Sequence, residues 1–151
     1  MSRNLETYLR LIGRANFGQR EAKDYLRGDQ ADAAVMEAYT PDVEIHEPPS
    51  LPQGGVHVGR EAWREMHEGI RARWDQRVEI QHLWDLPDDD VIVLYSTMDW
   101  KAKATGRHVQ GPFVTVLRFR DGLIAKVEIF HHDSKAILDT LAPAGQEHGP
   151  R

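Results

Sequence analysis

Apolar residues in the first quarter of the chain recur at helical spacing. Leu5, Tyr8, Leu9 and Ile12 fall three or four residues apart and so share one face of a helix. A break is expected at Gly13 or Gly18, after which Ala22, Tyr25 and Leu26 carry a second helical stretch. Gly28-Asp29 stops that helix and caps a third, built on Ala33, Ala34, Val35, Met36 and Ala38. Tyr39-Thr40-Pro41-Asp42 turns the chain out of helix, and the period changes to two. Residues 43–47 alternate, whereas residues 50–59, with Pro52 and Gly54-Gly55, read as a loop. Residues 60–73 return to helix, with Ala62/Trp63, Met66 and Ile70 along one face. Four strand-like runs follow at 78–86, 91–101, 108–120 and 123–132. Only Pro87-Asp88-Asp89-Asp90, Thr105-Gly106 and Asp121-Gly122 separate them, and turns that short join antiparallel neighbours. A final helix over 134–141 takes Asp133 as its N-cap.

Helices followed by an antiparallel meander predict an α+β domain with the helices on one face of the sheet. Alternation then assigns side chains to faces. Val43, Ile45 and Glu47 share one face; Val78, Ile80, His82, Trp84 and Leu86 another; Phe113, Thr115, Leu117 and Phe119 a third. In the last strand Leu123, Ala125, Val127, Ile129 and His131 point inward, with Lys126, Glu128 and His132 opposite. The run 91–101 is apolar on both sides; Ile92, Leu94, Ser96, Met98 and Trp100 are taken as inward. Two apolar faces on one strand of so small a domain predict a homodimer formed through the sheet.

The inward set is aliphatic and aromatic except for Glu47, His82, His131 and Thr115. A few polar groups converging in an apolar cavity are the usual anatomy of a small-molecule site. Each exception also has a plainer reading: a hydrogen-bonded core histidine, a carboxylate at the solvated rim, an ordinary strand threonine. A carboxyl on an apolar face titrates above its usual range and can exchange protons near neutrality.

Composition narrows the classes. A length of 151 residues fits one domain, expected over 1–142 with a disordered tail at 143–151. The chain has no cysteine, which excludes disulfides, thiolate nucleophiles and cysteine metal sites. A net charge of −5 argues against nucleic acid. No apolar run approaches the roughly 20 residues of a membrane span, and MSRNLETYLR lacks a signal-peptide core, so no membrane partner and a cytoplasmic location are expected. Adjacent His131 and His132 point to opposite faces of a strand and cannot share an ion there. Asp88-Asp89-Asp90 lacks the spaced ligands of a calcium loop and reads as a solvated turn. No metal and no cofactor are expected.

Two stretches carry a resemblance. One is the strand ending in Glu47-Pro48, followed by Gly54-Gly55 and by Gly59-Arg60 opening a helix (EPPSLPQGGVHVGREAW). The other is the turn Thr105-Gly106-Arg107 leading into Val116-Leu117-Arg118-Phe119 and Asp121-Gly122-Leu123-Ile124. Together they are similar to the SnoaL-like branch of the nuclear-transport-factor-2-like superfamily, across residues 25–141. The resemblance implies a cone-shaped fold, helices on a curved antiparallel sheet around a pocket. It aligns Glu47-Pro48 with the Asp-Pro whose carboxylate shuttles the proton in ketosteroid isomerases. Thr115 falls where those enzymes keep a protonated acid for the oxyanion. Their oxyanion tyrosine has no clear counterpart: the position falls near Glu21, and the nearest phenol is Tyr25. The polyketide cyclases' His and Asp acid–base residues have no assigned counterpart here; His132 and Asp133 lie near the end of the last strand, where capping accounts for Asp133 as well.

The expected function is cofactor-independent acid–base chemistry beside a carbonyl, of the polyketide cyclase, isomerase or dehydratase type. Glu47 would take the proton, with His131 or His82 donating to the oxyanion or relaying it. Tyr25, Trp63, Trp84, Met98, Trp100, Phe113, Thr115 and Ile129 would hold a small apolar or aromatic ligand. The alternative is a binding or dimerisation module of the same fold without chemistry, in which Glu47 is solvated or paired with Arg60.

Overall fold

The computed structural model describes residues 1–15 and 36–143. The expected second helical stretch, Tyr25 included, the third up to Val35, and nearly all of the expected tail lie outside the described residues. Helix α1 (Arg3–Ala15) is followed by β1 (Tyr39–Glu47), β2 (Gly55–Val58) and α2 (Arg60–Arg73). Strands β3 (Trp74–Leu86), β4 (Val91–Ala102), β5 (His108–Arg120) and β6 (Leu123–His131) precede the short α3 (Ser134–Asp139). One six-stranded sheet runs in the order β2-β1-β6-β5-β4-β3. The architecture is α+β, with three helices among the described residues packed on this mostly antiparallel sheet.

The meander β3–β6 pairs antiparallel as its short turns require, but β1 lies parallel to β6, with Ile45 opposite Val127. That pairing joins the two distant parts of the chain. The stretch read as a loop holds an edge strand as well: Gly55 through Val58 pairs with Glu47 through Glu44. Strand β3 begins at Trp74, directly after α2, four residues earlier than its alternation suggested.

Helix α1 buries a face rotated from the expected one. Asn4, Thr7, Tyr8 and Leu11 are buried, while Leu9 is exposed. Polar residues win the buried face because the sheet's end supplies partners. Thr7 donates its hydroxyl to the Gly122 carbonyl at 2.6 Å, and the Asn4 amide donates to Asp90 at 2.9 Å. Ser2 caps the helix, accepting from the Leu5 amide at 3.0 Å, and its hydroxyl donates to Asp85 at 2.7 Å.

The Thr105-Gly106-Arg107 turn anchors the last helix. Gly106 takes φ +73°, and the Arg107 guanidinium donates to the carbonyls of Asp139 and Ala142 at 2.8 and 2.9 Å. Arg107 thus satisfies carbonyls that a helix end leaves open. Asp133 caps α3, accepting from the Ala136 amide at 3.0 Å. Beneath this end Trp74 packs edge-on against Trp100, ring centroids 5.0 Å apart, and donates its indole N–H to Thr140 at 2.8 Å.

Two bulges interrupt the alternation within the meander β3–β6. Ile80 pairs with Ser96 but His82 with Tyr95, so Gln81 is an extra residue in β3. Arg118 pairs with Lys126 but Phe119 with Ile124, so Ala125 is an extra residue in β6. Each inserted residue exchanges the faces of everything beyond it. Ile124, fully buried, thus takes the inward place expected for Leu123 and Ala125.

Candidate active site

The cavity lies between the inward face of the sheet and helices α1 and α2, and measures about 150 Å³. Ile45 and Glu47 of β1, Val78 and Ile80 of β3, and Leu94, Ser96, Met98 and Trp100 of β4 form much of its wall. Phe113 and Thr115 of β5 and Ile129 and His131 of β6 continue it, and Tyr8, Trp63 and His67 close it from the helices. Among the described residues, no lysine, arginine or aspartate lines it.

Glu47 reaches this interior because Val43, Ile45 and Glu47 alternate inward along β1, exposed by 0%, 1% and 7%. Its Oε2 is buried with no hydrogen-bond partner among the described residues. Burial therefore acts on the carboxyl without opposition and pushes its pKa from 4.5 up to about 8. The alternative pairing with Arg60 is not made, since the Arg60 guanidinium donates to the Tyr39 carbonyl. Along the sheet, Glu47 is one step beyond the His46–Glu128 pair, level with Ile129, whose partner across β5 is Thr115. Two strand spacings put Glu47 and Thr115 about 10 Å apart at the backbone. One ligand can touch both, although they do not touch each other.

His131 occupies the next row, opposite Phe113. Its ring packs on Trp100 and Phe113 at centroid distances of 5.3 and 5.2 Å, and burial lowers its pKa to about 4. A neutral imidazole keeps one N–H donor and one acceptor nitrogen. Glu47, His131, Trp63, Met98, Trp100, Phe113, Thr115 and Ile129 thus surround one space.

His82 and Trp84 do not. The bulge at Gln81 turns both to the outer face of the sheet, where their rings stack at 5.6 Å and Trp84 is 49% exposed. Leu83, packed against the core, takes the inward place instead.

Three polar groups join the expected set. His67 follows Trp63 by four residues and so shares its helix face, a spacing readable from the sequence. Its Nδ1 lies 2.8 Å from the Trp63 carbonyl, and burial is the main cause of a pKa lowered to about 4. Gln76 enters because β3 begins earlier than its alternation suggested. Tyr8 presents a buried phenol hydroxyl with no partner among the described residues. Burial first, and the nearby Tyr39 phenol second, raise its pKa, so it holds its proton as a donor.

Three helices among the described residues, packed on a six-stranded, mostly antiparallel sheet, agree with what the comparisons return. The SnoaL-like domain family matches residues 23–127. The chain belongs to that family. Among solved structures, a nuclear-transport-factor-2-like protein of unknown function from Burkholderia pseudomallei superposes with a TM-score of 0.75 at 20% identity, covering 94% of this chain and 99% of the other. TerC co-crystallised with polyporic acid gives 0.72 at 20% identity, over 93% and 98% of the two chains. A protein from Jannaschia assigned as a SnoaL-like polyketide cyclase gives 0.70 at 17% identity, over 93% of each. At these identities the SnoaL-like chain shares their fold, and the chemistry must be argued from its own residues. No curated protein matches the sequence. No helix among the described residues is long and apolar enough to cross a membrane.

Proposed function

We propose that the domain is a cofactor-independent enzyme that moves a proton beside a carbonyl on a small apolar substrate. The observation that carries this reading is Glu47: a buried carboxyl, partnerless at Oε2 and facing a cavity that no lysine or arginine lines among the described residues. A base with a pKa near 8 is far better matched to a carbon acid than a solvated carboxylate is. Ionised Glu47 takes the proton from the carbon next to the carbonyl, and the electron pair moves onto the oxygen. The Tyr8 hydroxyl or the His131 N–H donates to that oxygen. Returning the proton from Glu47 to a different carbon isomerises the substrate; passing it to a neighbouring hydroxyl releases water and dehydrates it; and attack of the carbon on a second carbonyl, whose oxygen takes the proton, closes a ring.

The test is deuterium exchange and double-bond migration in cyclohex-3-enone, followed by NMR. Wild-type protein should accelerate both, with a rate that rises as pH passes through about 8. Glu47→Gln should lower the rate by about 10²–10⁴. Equal rates in the two proteins would refute the mechanism. The second reading, a binding module, is favoured by the same pKa, because a carboxyl still largely protonated at pH 7 is a neutral hydrogen-bond donor. On that reading no exchange is catalysed by either protein.

We further infer that a second copy of the chain covers the outer face of the sheet. Trp84 and Val93 pair across two strands there, and Tyr95, Val114 and Phe130 across three, with Trp84, Tyr95 and Phe130 exposed. Strands β3 to β6 offer a surface of roughly 19 Å by 40 Å, on the order of 750 Å². That is close to the ~800 Å² each partner contributes to a standard interface.

A further inference from the structure

A second hollow adjoins the first. It measures about 170 Å³ and lies between β5 and α3, walled by Val109, Gly111 and Pro112 on one side and Ala136 and Ile137 on the other. Trp100 and His131 line both hollows, their rings meeting edge to face with centroids 5.3 Å apart.

The two members of this partition are held unequally. Trp100 is locked from behind by Trp74, which is itself hydrogen-bonded to Thr140. The His131 ring makes no side-chain hydrogen bond to another described residue and packs on the rings of Trp100 and Phe113. Rotating the ring away from the partition breaks no hydrogen bond to another described residue.

An apolar space of about 150 Å³ accommodates one benzene-sized ring. The two hollows are each of that size, so together they suit two linked rings better than one compact fused system. Among the described residues neither is lined by lysine or arginine, and Asp133 of the second is occupied in capping α3 at the Ala136 amide. The rim of the second hollow carries exposed Gln110 and His132, which suit a hydroxyl or amide at the far end of a ligand.

We propose that the two hollows form one bipartite site for an uncharged, rod-shaped ligand of two linked rings. One ring lies beside Glu47, the distal ring lies against Gly111 and α3, and His131 is the partition that turns aside to admit it. The proposal rests on the cavity being a ligand site and not on Glu47 moving a proton.

Gly111 supplies the test. A Cβ added there meets nothing within 4 Å, and the backbone is not in the left-handed region, so Gly111→Leu fills the second hollow and leaves the first intact. The probes are phenol, with one ring, and 4-phenylphenol, with two, titrated calorimetrically into the full chain. Wild-type protein should bind 4-phenylphenol at least about tenfold more tightly than phenol, since a second buried ring removes further apolar surface from water. Gly111→Leu should erase that preference and leave the affinity for phenol within about twofold. Should Gly111→Leu fail to fold by circular dichroism, Ala136→Leu fills the same space from the other wall. A wild-type protein with no preference for two rings, a variant that keeps the preference, or a variant that loses both ligands alike would overturn the bipartite site. None of these readouts involves turnover, so they separate this proposal from the proton-transfer reading.

Discussion

Replacing Glu47 by glutamine should stabilise the protein, and by an amount that depends on pH. In the folded state the carboxyl titrates at about 8 instead of 4.5, because burial penalises its charged form. The native protein therefore binds this proton more tightly than the unfolded chain. Its favourable contribution is fully present below pH 4.5 and is lost as pH rises through 8, at about 1.4 kcal/mol per pH unit in between. At pH 7 the loss is about 3 kcal/mol, and above pH 8 it approaches about 5. Glutamine is the uncharged isostere and escapes it. His131 and His67, lowered to about 4, act with the opposite sign: the stability they confer is present above pH 6.5 and lost as pH falls through 4. Both histidines remain in the variant, so the difference between the two proteins isolates the carboxyl. Urea unfolding at pH 5, 7 and 8.5 should give a stability difference that widens steadily toward alkaline pH. Any constant cost of burying the amide shifts all three differences equally and leaves the slope intact. Stability curves that run parallel from pH 5 to 8.5 would show that Glu47 titrates normally, and the account of its burial would be wrong.

Other parts of the molecule make further predictions. Light scattering should find wild-type protein at twice the chain mass, and Trp84→Glu combined with Phe130→Glu at the mass of one chain; a monomeric wild type or a dimeric variant would remove the sheet-face interface. Thr140→Val leaves the buried Trp74 indole N–H without its acceptor and should cost about 1–3 kcal/mol, seen as a lower melting temperature. An unchanged melting temperature would mean that this hydrogen bond contributes nothing net.

Much of the architecture is legible in the chain because its signals are local. The short turns dictate the meander, and clean alternation in β5 places Phe113, Thr115, Leu117 and Phe119 inward, where they are buried. Glu47 is readable for the same reason, as the last member of an unbroken inward series. What escapes is set by distant partners. Nothing in Asn4 or Thr7 announces burial until Asp90 and Gly122 arrive to accept their hydrogen bonds. The parallel pairing of β1 with β6 joins residues some 80 positions apart, and no local pattern encodes it. Gln81 and Ala125 are ordinary strand residues, so the bulges they create leave no mark on composition, yet the first of them moves His82 and Trp84 to the other side of the sheet.

The bulge in β3 has a consequence for how such a domain changes over time. Alternation along a strand behaves like a reading frame with two phases, and Gln81 is a frameshift within it. Before Gln81, the even-numbered side chains Gln76, Val78 and Ile80 look onto the ligand space; after it, the even-numbered His82 and Trp84 look outward. Deleting one codon would swap the audience of every residue from His82 to Leu86 without altering one of them. Inserting one farther upstream would hand cavity positions to the exterior. The boundary between what the protein binds inside and what it shows outside is therefore movable in single-residue steps, by indels that substitution scans never sample.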